Sequence, residues 1–195
     1  MRFIGNKENL VEWIYNTMSL FNIQGKIFFD FFSGTANVGK FMKEKKYKVI
    51  SSDLLYFSYI LQRAYLKNNI YPEFRNLLPT FDISSNILFP DPLDTVIEYL
   101  NNLSGKEGFI YHNYCVEGTK KLDKPRMFFS DNNARKIDAI RIKIEEWKND
   151  RLINDDEYFV LLACLIESVP FYANISGVYA AFFKKWDARA LKPFI

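Results

Sequence analysis

Apolar residues at Leu10, Val11, Trp13, Ile14 and Met18 recur every three or four positions, which predicts an amphipathic helix closed by Gly25. Lys26 to Phe32 then runs apolar through Ile27, Phe28 and Phe29 to Asp30. A short run without alternation is the pattern of a parallel strand buried on both faces. Ser33-Gly34-Thr35-Ala36-Asn37-Val38-Gly39 follows, then a helical stretch to Lys45, then a second short strand from Tyr47 to Ser52 that ends at Asp53. Tyr56, Ile60, Leu61 and Tyr65 mark another helix. Strand, glycine turn, helix, strand and acid make one βαβ unit, the building block of α/β folds.

The pattern changes after residue 70. Pro72, Pro79, Pro90 and Pro92 break up the stretch to 104, leaving one predicted helix from about Pro92 to Leu103. Residues 105–130 are polar, aromatic and basic, with little periodicity. Ser130 is placed to cap a long charged helix that carries Ile137, Ile140, Ile144 and Trp147 on one face. Asn154-Asp155-Asp156-Glu157 has the form of a capping box, and the apolar helix it opens should stop near Pro170. Phe171 to Ile195 is mixed aromatic and basic. No repeat or low-complexity linker is present, so composition marks no second domain.

Composition adds mainly exclusions. At 195 residues, 49% hydrophobic and 17% aromatic, the chain can build a sizeable core. A net charge of +3 permits a nucleic-acid partner without arguing for one. Cys115 and Cys164 cannot form a disulfide framework, and with His112 as the single histidine they make no common zinc site. No metal site is expected. The start shows no apolar core of secretory length, and the longest apolar run, Tyr158 to Ile166, is too short to span a bilayer. The expectation is a cytoplasmic protein without membrane contact.

Candidate chemistry gathers at the glycine turn. Gly34-x-Ala36-x-x-Gly39 fits a loose dinucleotide fingerprint, and an ordinary tight strand–helix turn fits it too. The flanking acids sharpen the choice. Asp53, at the end of the second strand, can accept hydrogen bonds from ribose hydroxyls. Asp30, four residues before Gly34, would repel a pyrophosphate at the mouth of the turn and attract an ammonium group. S-adenosylmethionine meets both demands, with its amino-acid end and its free ribose hydroxyls. A nicotinamide dinucleotide does not.

Several separated segments resemble one family. They are Arg2-Phe3-Ile4-Gly5-Asn6-Lys7, Asp30-Phe31-Phe32-Ser33-Gly34, and Asp53-Leu54-Leu55-Tyr56-Phe57-Ser58-Tyr59, followed by Phe129-Ser130-Asp131-Asn132, Asn174-Ile175-Ser176-Gly177-Val178-Tyr179, and Lys185 to Phe194. In that order they resemble the adenine-specific DNA methyltransferases of the Dam-like class, closest to the enzymes paired with type IIS restriction systems. The resemblance implies an α/β, Rossmann-like S-adenosylmethionine-dependent methyltransferase fold, here incomplete, with a largely helical recognition region. It implies a cofactor-binding βαβ portion over 1–70 and a DNA-recognition insertion over 71–150. Residues 151–195 would lead towards a catalytic strand. Phe3, Lys7 and Leu54 are implied as cofactor contacts, with Asp30, Ser33, Gly34, Thr35 and Gly39 around the methionine part and Asp53 at the ribose. Ala36 replaces a glycine common in the family, and a modest effect is expected provided the backbone there does not need a positive φ.

The family's chemistry rests on Asp-Pro-Pro-Tyr or a close variant, which does not occur in the chain. Asp91-Pro92-Leu93-Asp94 shares two letters but reads as a helix start. Ser168-Val169-Pro170-Phe171 fits a looser pattern but reads as a helix end. No catalytic residue is therefore assigned, and the chain is expected to stop before its catalytic strand. Double-stranded DNA is the expected partner, together with the C-terminal remainder of the enzyme or a partner chain. Lys120, Lys121, Lys124 and Arg126 form one candidate DNA-binding segment. Asn174, Ser176, Tyr179, Lys184, Lys185 and Arg189 form another. The leading expectation is an N-terminal portion of a DNA adenine methyltransferase that binds S-adenosylmethionine. The alternatives are a non-catalytic cofactor- or DNA-binding half of a split or degenerate methyltransferase, and a nucleotide-binding oxidoreductase.

Overall fold

The computed structural model describes residues 5–81 and 91–195. The chain divides into two compact units, Met1–Tyr71 and Pro72–Ile195, although no linker marks the division in composition.

The first unit is built on the expected crossover. Helix α1 spans Val11–Leu20, strand β1 Ile27–Asp30, helix α2 Asn37–Glu44, strand β2 Lys48–Ser51 and helix α3 Tyr56–Gln62. The strands pair in parallel, with Phe28 opposite Val49 and Asp30 opposite Ser51. The glycine turn and both acids therefore lie at one end of the pair. A π-helical turn, Arg63–Lys67, extends α3. Lys43 of α2 ties its end down by donating to the carbonyls of Tyr65 (3.0 Å), Leu66 (3.0 Å) and Asn68 (2.6 Å). One expectation is corrected here. The strands are not buried on both faces. Phe28 and Asp30 are half-buried, whereas Ile27 and Phe29 are 62% and 54% exposed. The inward side chains pack towards α2, and Ile50, on the other face with Ile27 and Phe29, is 47% exposed.

The second unit is helical. Helix α4 spans Pro92–Asn101, α5 Phe109–Tyr114, α6 Asp131–Asn149 and α7 Asp155–Ser168. Its core includes Ile137, Ile140, Ile144 and Trp147 of α6 and Leu161, Leu162 and Leu165 of α7. Local caps start three of the helices. Asp91 accepts from the amides of Leu93 (2.9 Å) and Asp94 (3.0 Å), so Asp91-Pro92 is a helix start as read. The Ser130 hydroxyl accepts from the Asn133 amide at 3.3 Å. Asn154 and Glu157 form the full capping box, and the other Glu157 oxygen accepts from the Phe74 amide at 2.6 Å.

Helix α5 has no such local signal. Its first turn is held from outside by the buried Asp138 of α6, which accepts from the amides of Gly108 (3.0 Å), Ile110 (2.9 Å) and Tyr111 (2.7 Å). The closing segment is pinned in a similar way. Asn133 donates to the carbonyls of Ala190 (3.1 Å) and Lys192 (2.9 Å) and accepts from the Phe194 amide (3.0 Å). No helix among the described residues is long and apolar enough to cross a membrane.

Candidate functional site

The turn after β1 is held rigid by residues far from it in sequence. The Asp53 carboxylate accepts from the Gly34 amide at 2.8 Å and from the Leu55 amide at 2.9 Å. Ser58, fully buried on α3, donates to the Gly34 carbonyl, and Gln62 donates to the Ser58 hydroxyl at 3.4 Å. Both peptide groups of Gly34 are thus fixed. Burial works to raise the Asp53 pKa, but the hydrogen bonds from Leu55 and Gly34 outweigh it, and its carboxyl lies below the usual range. Each carboxylate oxygen has two acceptor positions, so capacity remains on Asp53 for further donors.

Asp30 is in the opposite condition. Burial pushes its carboxyl above the usual range; the nearby Lys7 charge, the Ser33 side chain and the Gly39 amide partly offset this, and Asp53 adds to the rise. Its Oδ2 atom is buried and has no hydrogen-bond partner. An unmet buried acceptor is costly, so it marks a place where a donor belongs. Gly34 has φ +52, and a Cβ built on it would meet nothing within 4 Å. An open cradle thus lies beside a half-buried carboxylate whose Oδ2 atom lacks a donor. These residues fit a ligand that brings an ammonium group to Asp30 and hydroxyls to Asp53.

The predicted residues divide as follows. Lys7, Ser33 and Thr35 line one small pocket, together with Gly5, Asn37 and Val38. Asp30, Gly34 and Asp53 meet at the turn, and Leu54 stands 97% exposed beside it. Gly39 has another task. A Cβ there would sit 2.8 Å from the Leu66 side chain and 3.4 Å from Val49, so it allows α2 to pack closely. Phe3 lies outside the described residues. Sequence reasoning assigns no role to Asn6, Asn37, Ser58 and Gln62: the first three stand inside the motif segments, but only the folded chain shows their side chains bonding at or beside the turn.

Ala36 corrects a further expectation. It adopts φ +60 at the start of α2, the left-handed region that favours glycine. Ala36→Gly should therefore stabilise the first unit by about 0.5–1 kcal/mol, the relief of strain exceeding the added freedom of the unfolded chain. Urea unfolding checks this, and a lower midpoint in the variant would contradict it.

The candidate DNA-binding residues separate by exposure. Lys121, Lys124, Ser176, Lys184 and Lys185 are exposed, and Lys120 pairs with Glu117 at the surface. Tyr179 is 43% exposed and stacks on Phe128. Three others turn inward. Arg126 donates to the Asn113 carbonyl at 2.9 Å. Arg189 donates to Asp187 and to the Ala173 carbonyl, both at 3.2 Å. Asn174 is fully buried, donating to the carbonyls of Met127 and Phe183 (both 3.0 Å) and accepting from the Asp187 amide (2.9 Å). Arg126, Arg189 and Asn174 therefore shape the segments that carry the exposed residues.

Other chemistry is sparse. Ser168 ends α7, and Val169–Phe171 is a single 3-10 turn. Burial pushes the Cys115 thiol up to about 12 and the Cys164 thiol up to about 11, which leaves neither as a ready nucleophile. Among the described residues no group of His, Cys, Asp and Glu could hold a metal ion.

Comparison with known proteins adds to this geometry. Residues 3–195 match the family described as D12 class N6 adenine-specific DNA methyltransferase. The chain is 43% identical over 196 residues to the type II methyltransferase M.FokI of Planomicrobium okeanokoites, covering 98% of this chain and 28% of that protein. It is 38% identical over 198 residues to the type II methyltransferase M.NlaIII of Neisseria lactamica, covering 99% of this chain and 52% of the relative. The modification methylase LlaI of Lactococcus lactis subsp. lactis is 38% identical over 197 residues, with 100% and 29% covered. The chain thus spans between about a quarter and about half the length of these relatives. No solved structure matches it.

Proposed function

Because the chain belongs to the D12 class of N6 adenine-specific DNA methyltransferases, we propose that it forms the cofactor-binding and DNA-contacting portion of an enzyme that methylates the exocyclic amino group of adenine. Its first unit would be part of a Rossmann-like fold, and residues 71–150 part of the DNA-recognition region. The observation that carries the reading is the buried Asp30 Oδ2 without a donor, beside the open cradle at Gly34.

S-adenosylmethionine, when bound, supplies an electrophilic methyl group on a sulfonium. The remaining tasks belong to the chain. Asp30 pairs with the ammonium of the methionine part, and Lys7 attracts its carboxylate. The Gly34 cradle admits the ligand against the backbone, with Ser33 and Thr35 lining its wall. Asp53 keeps the turn closed and uses its remaining acceptor positions for ribose hydroxyls. Leu54 offers the adenine ring an exposed apolar surface. The Pro-Pro-aromatic element that would hold the target base is absent from these residues. Methyl transfer therefore calls on the remainder of a longer polypeptide or on a partner chain. The exposed sheet face at Ile27, Phe29 and Ile50 supports such a neighbour. Action on DNA fits the expected cytoplasmic location.

The oxidoreductase alternative loses its ground, because the family is a methyltransferase family and a pyrophosphate would face Asp30. Thermal melting tests the reading. S-adenosylmethionine at hundredfold excess over its Kd should add about 2.7 kcal/mol of stability. A rise with NAD and none with S-adenosylmethionine would overturn it.

A second arm tests DNA contact. Among the described residues Lys184 and Lys185 make no ion pair, so they are free to meet phosphates. Replacing both with Ala should weaken double-stranded DNA binding and reduce the log–log salt slope by about 1.8, the share of two phosphate contacts. An unchanged slope would place the segment away from DNA.

A further inference from the structure

Asn6 stands between Gly5 and Lys7, just ahead of a 3-10 turn, Glu8–Leu10, that Lys7 caps with its carbonyl. Gly5 has φ +83, in the left-handed region that glycine adopts without steric cost. The Asn6 side chain reaches across to the glycine turn. Its Oδ1 accepts from Nδ2 of Asn37, the first residue of α2, and from the Thr35 hydroxyl at 3.5 Å. It also accepts from the Glu8 amide at 3.0 Å, while Nδ2 donates to the Glu8 carboxylate at 3.2 Å. One side chain thereby links the segment before α1 to the turn before α2, 29 and 31 residues away. Thr35 is buried, so its position is set by the fold and not by Asn6. Gly5, Lys7, Ser33, Thr35 and Asn37 line one pocket as a result.

We propose that Asn6 is a positioning residue for the methionine end of the cofactor site: by hydrogen bonding to Thr35 and Asn37 it holds Lys7 beside the glycine turn. This rests on the S-adenosylmethionine reading above. Without the link, Lys7 must be ordered at the moment of binding, and the ligand bears that entropy. Asn6 touches no part of the nucleoside end, which is served by Asp53 and Leu54. The loss should therefore depend on which part of the ligand is present.

Two ligands separate the ends. S-adenosylhomocysteine carries both the amino-acid part and the nucleoside, and 5′-methylthioadenosine carries the nucleoside without the amino acid. Asn6→Leu keeps the approximate shape and removes the acceptor. Calorimetry on the 195-residue chain should show S-adenosylhomocysteine weakened roughly tenfold, the worth of one hydrogen bond to a charged group. Binding of 5′-methylthioadenosine should be unchanged. Lys7→Met should show the same selective loss, and the double variant should be no weaker than Lys7→Met alone. An equal loss for both ligands would mean general damage, and no loss for either would mean no role; each overturns the proposal. Failure of the unaltered chain to bind S-adenosylhomocysteine would instead overturn the cofactor reading on which it stands.

Discussion

Asp30→Asn is expected to lower affinity for S-adenosylhomocysteine about a hundredfold, close to 3 kcal/mol, because it removes the charge from a half-buried pair while keeping its shape. The same substitution should stabilise the free protein at neutral pH. Burial raises the Asp30 pKa, so the folded chain holds that proton more tightly than the unfolded chain. The stability linked to this proton is fully present below the ordinary value of 3.8 and is lost as pH rises through the raised value. Asparagine carries no such penalty. An ammonium ligand reverses the sense, since it favours the carboxylate. Affinity of the unaltered chain should therefore fall as pH drops through the raised Asp30 pKa, and the Asp30→Asn variant should lack that limb. Calorimetry over a series of pH values from 3.8 up to neutrality, with urea unfolding at the same pH values, measures both signs. Equal affinity in the two proteins would remove Asp30 from the site.

Asp138→Ala should cost the second unit about 3–5 kcal/mol, as expected when a buried charged acceptor is removed and its donors are stranded. Asp138 is 4% exposed and receives three amides from the start of α5. The contact is close at Gly108, where a Cβ would lie 2.8 Å from the Asp138 carboxyl carbon. Helix α5 has only six residues and is too short to persist without this anchor. Hydrogen exchange at Ile110 and Tyr111 should rise well before exchange in α6. Beyond stability, the variant should loosen the segment that follows α5, where Lys120, Lys121 and Lys124 lie. A loss below about 1 kcal/mol would show that the three amides find other partners.

These two carboxylates differ in how far the sequence announces them. Asp30 could be singled out beforehand, because a strand, a glycine turn and an acid are contiguous and their chemistry is local. The start of α4 at Asp91, of α6 at Ser130 and of α7 at Asn154 was legible for the same reason: each cap lies within three residues of the amides it satisfies. Asp138 could not be read as a cap, since its donors lie 27 to 30 residues earlier and belong to a stretch without periodicity. Basic and polar residues show the same divide. Lys184 and Arg189 look alike as charges in a row, yet one is exposed and the other is turned onto Asp187 and Ala173. Asn174 sits in a motif that suggested contact with DNA and proves to be a buried brace.

The amino-acid order alone determined the βαβ start, the local caps, the two acids at the glycine turn and the family resemblance, all of which depend on neighbours a few residues apart or on whole motifs. Folding in three dimensions decided the rest: the left-handed backbone at Ala36, the anchoring of α5, the link from Asn6 to α2, and which polar groups remain free for a ligand. Hydrogen-bonding capacity is finite, and only the folded chain shows where it has already been used.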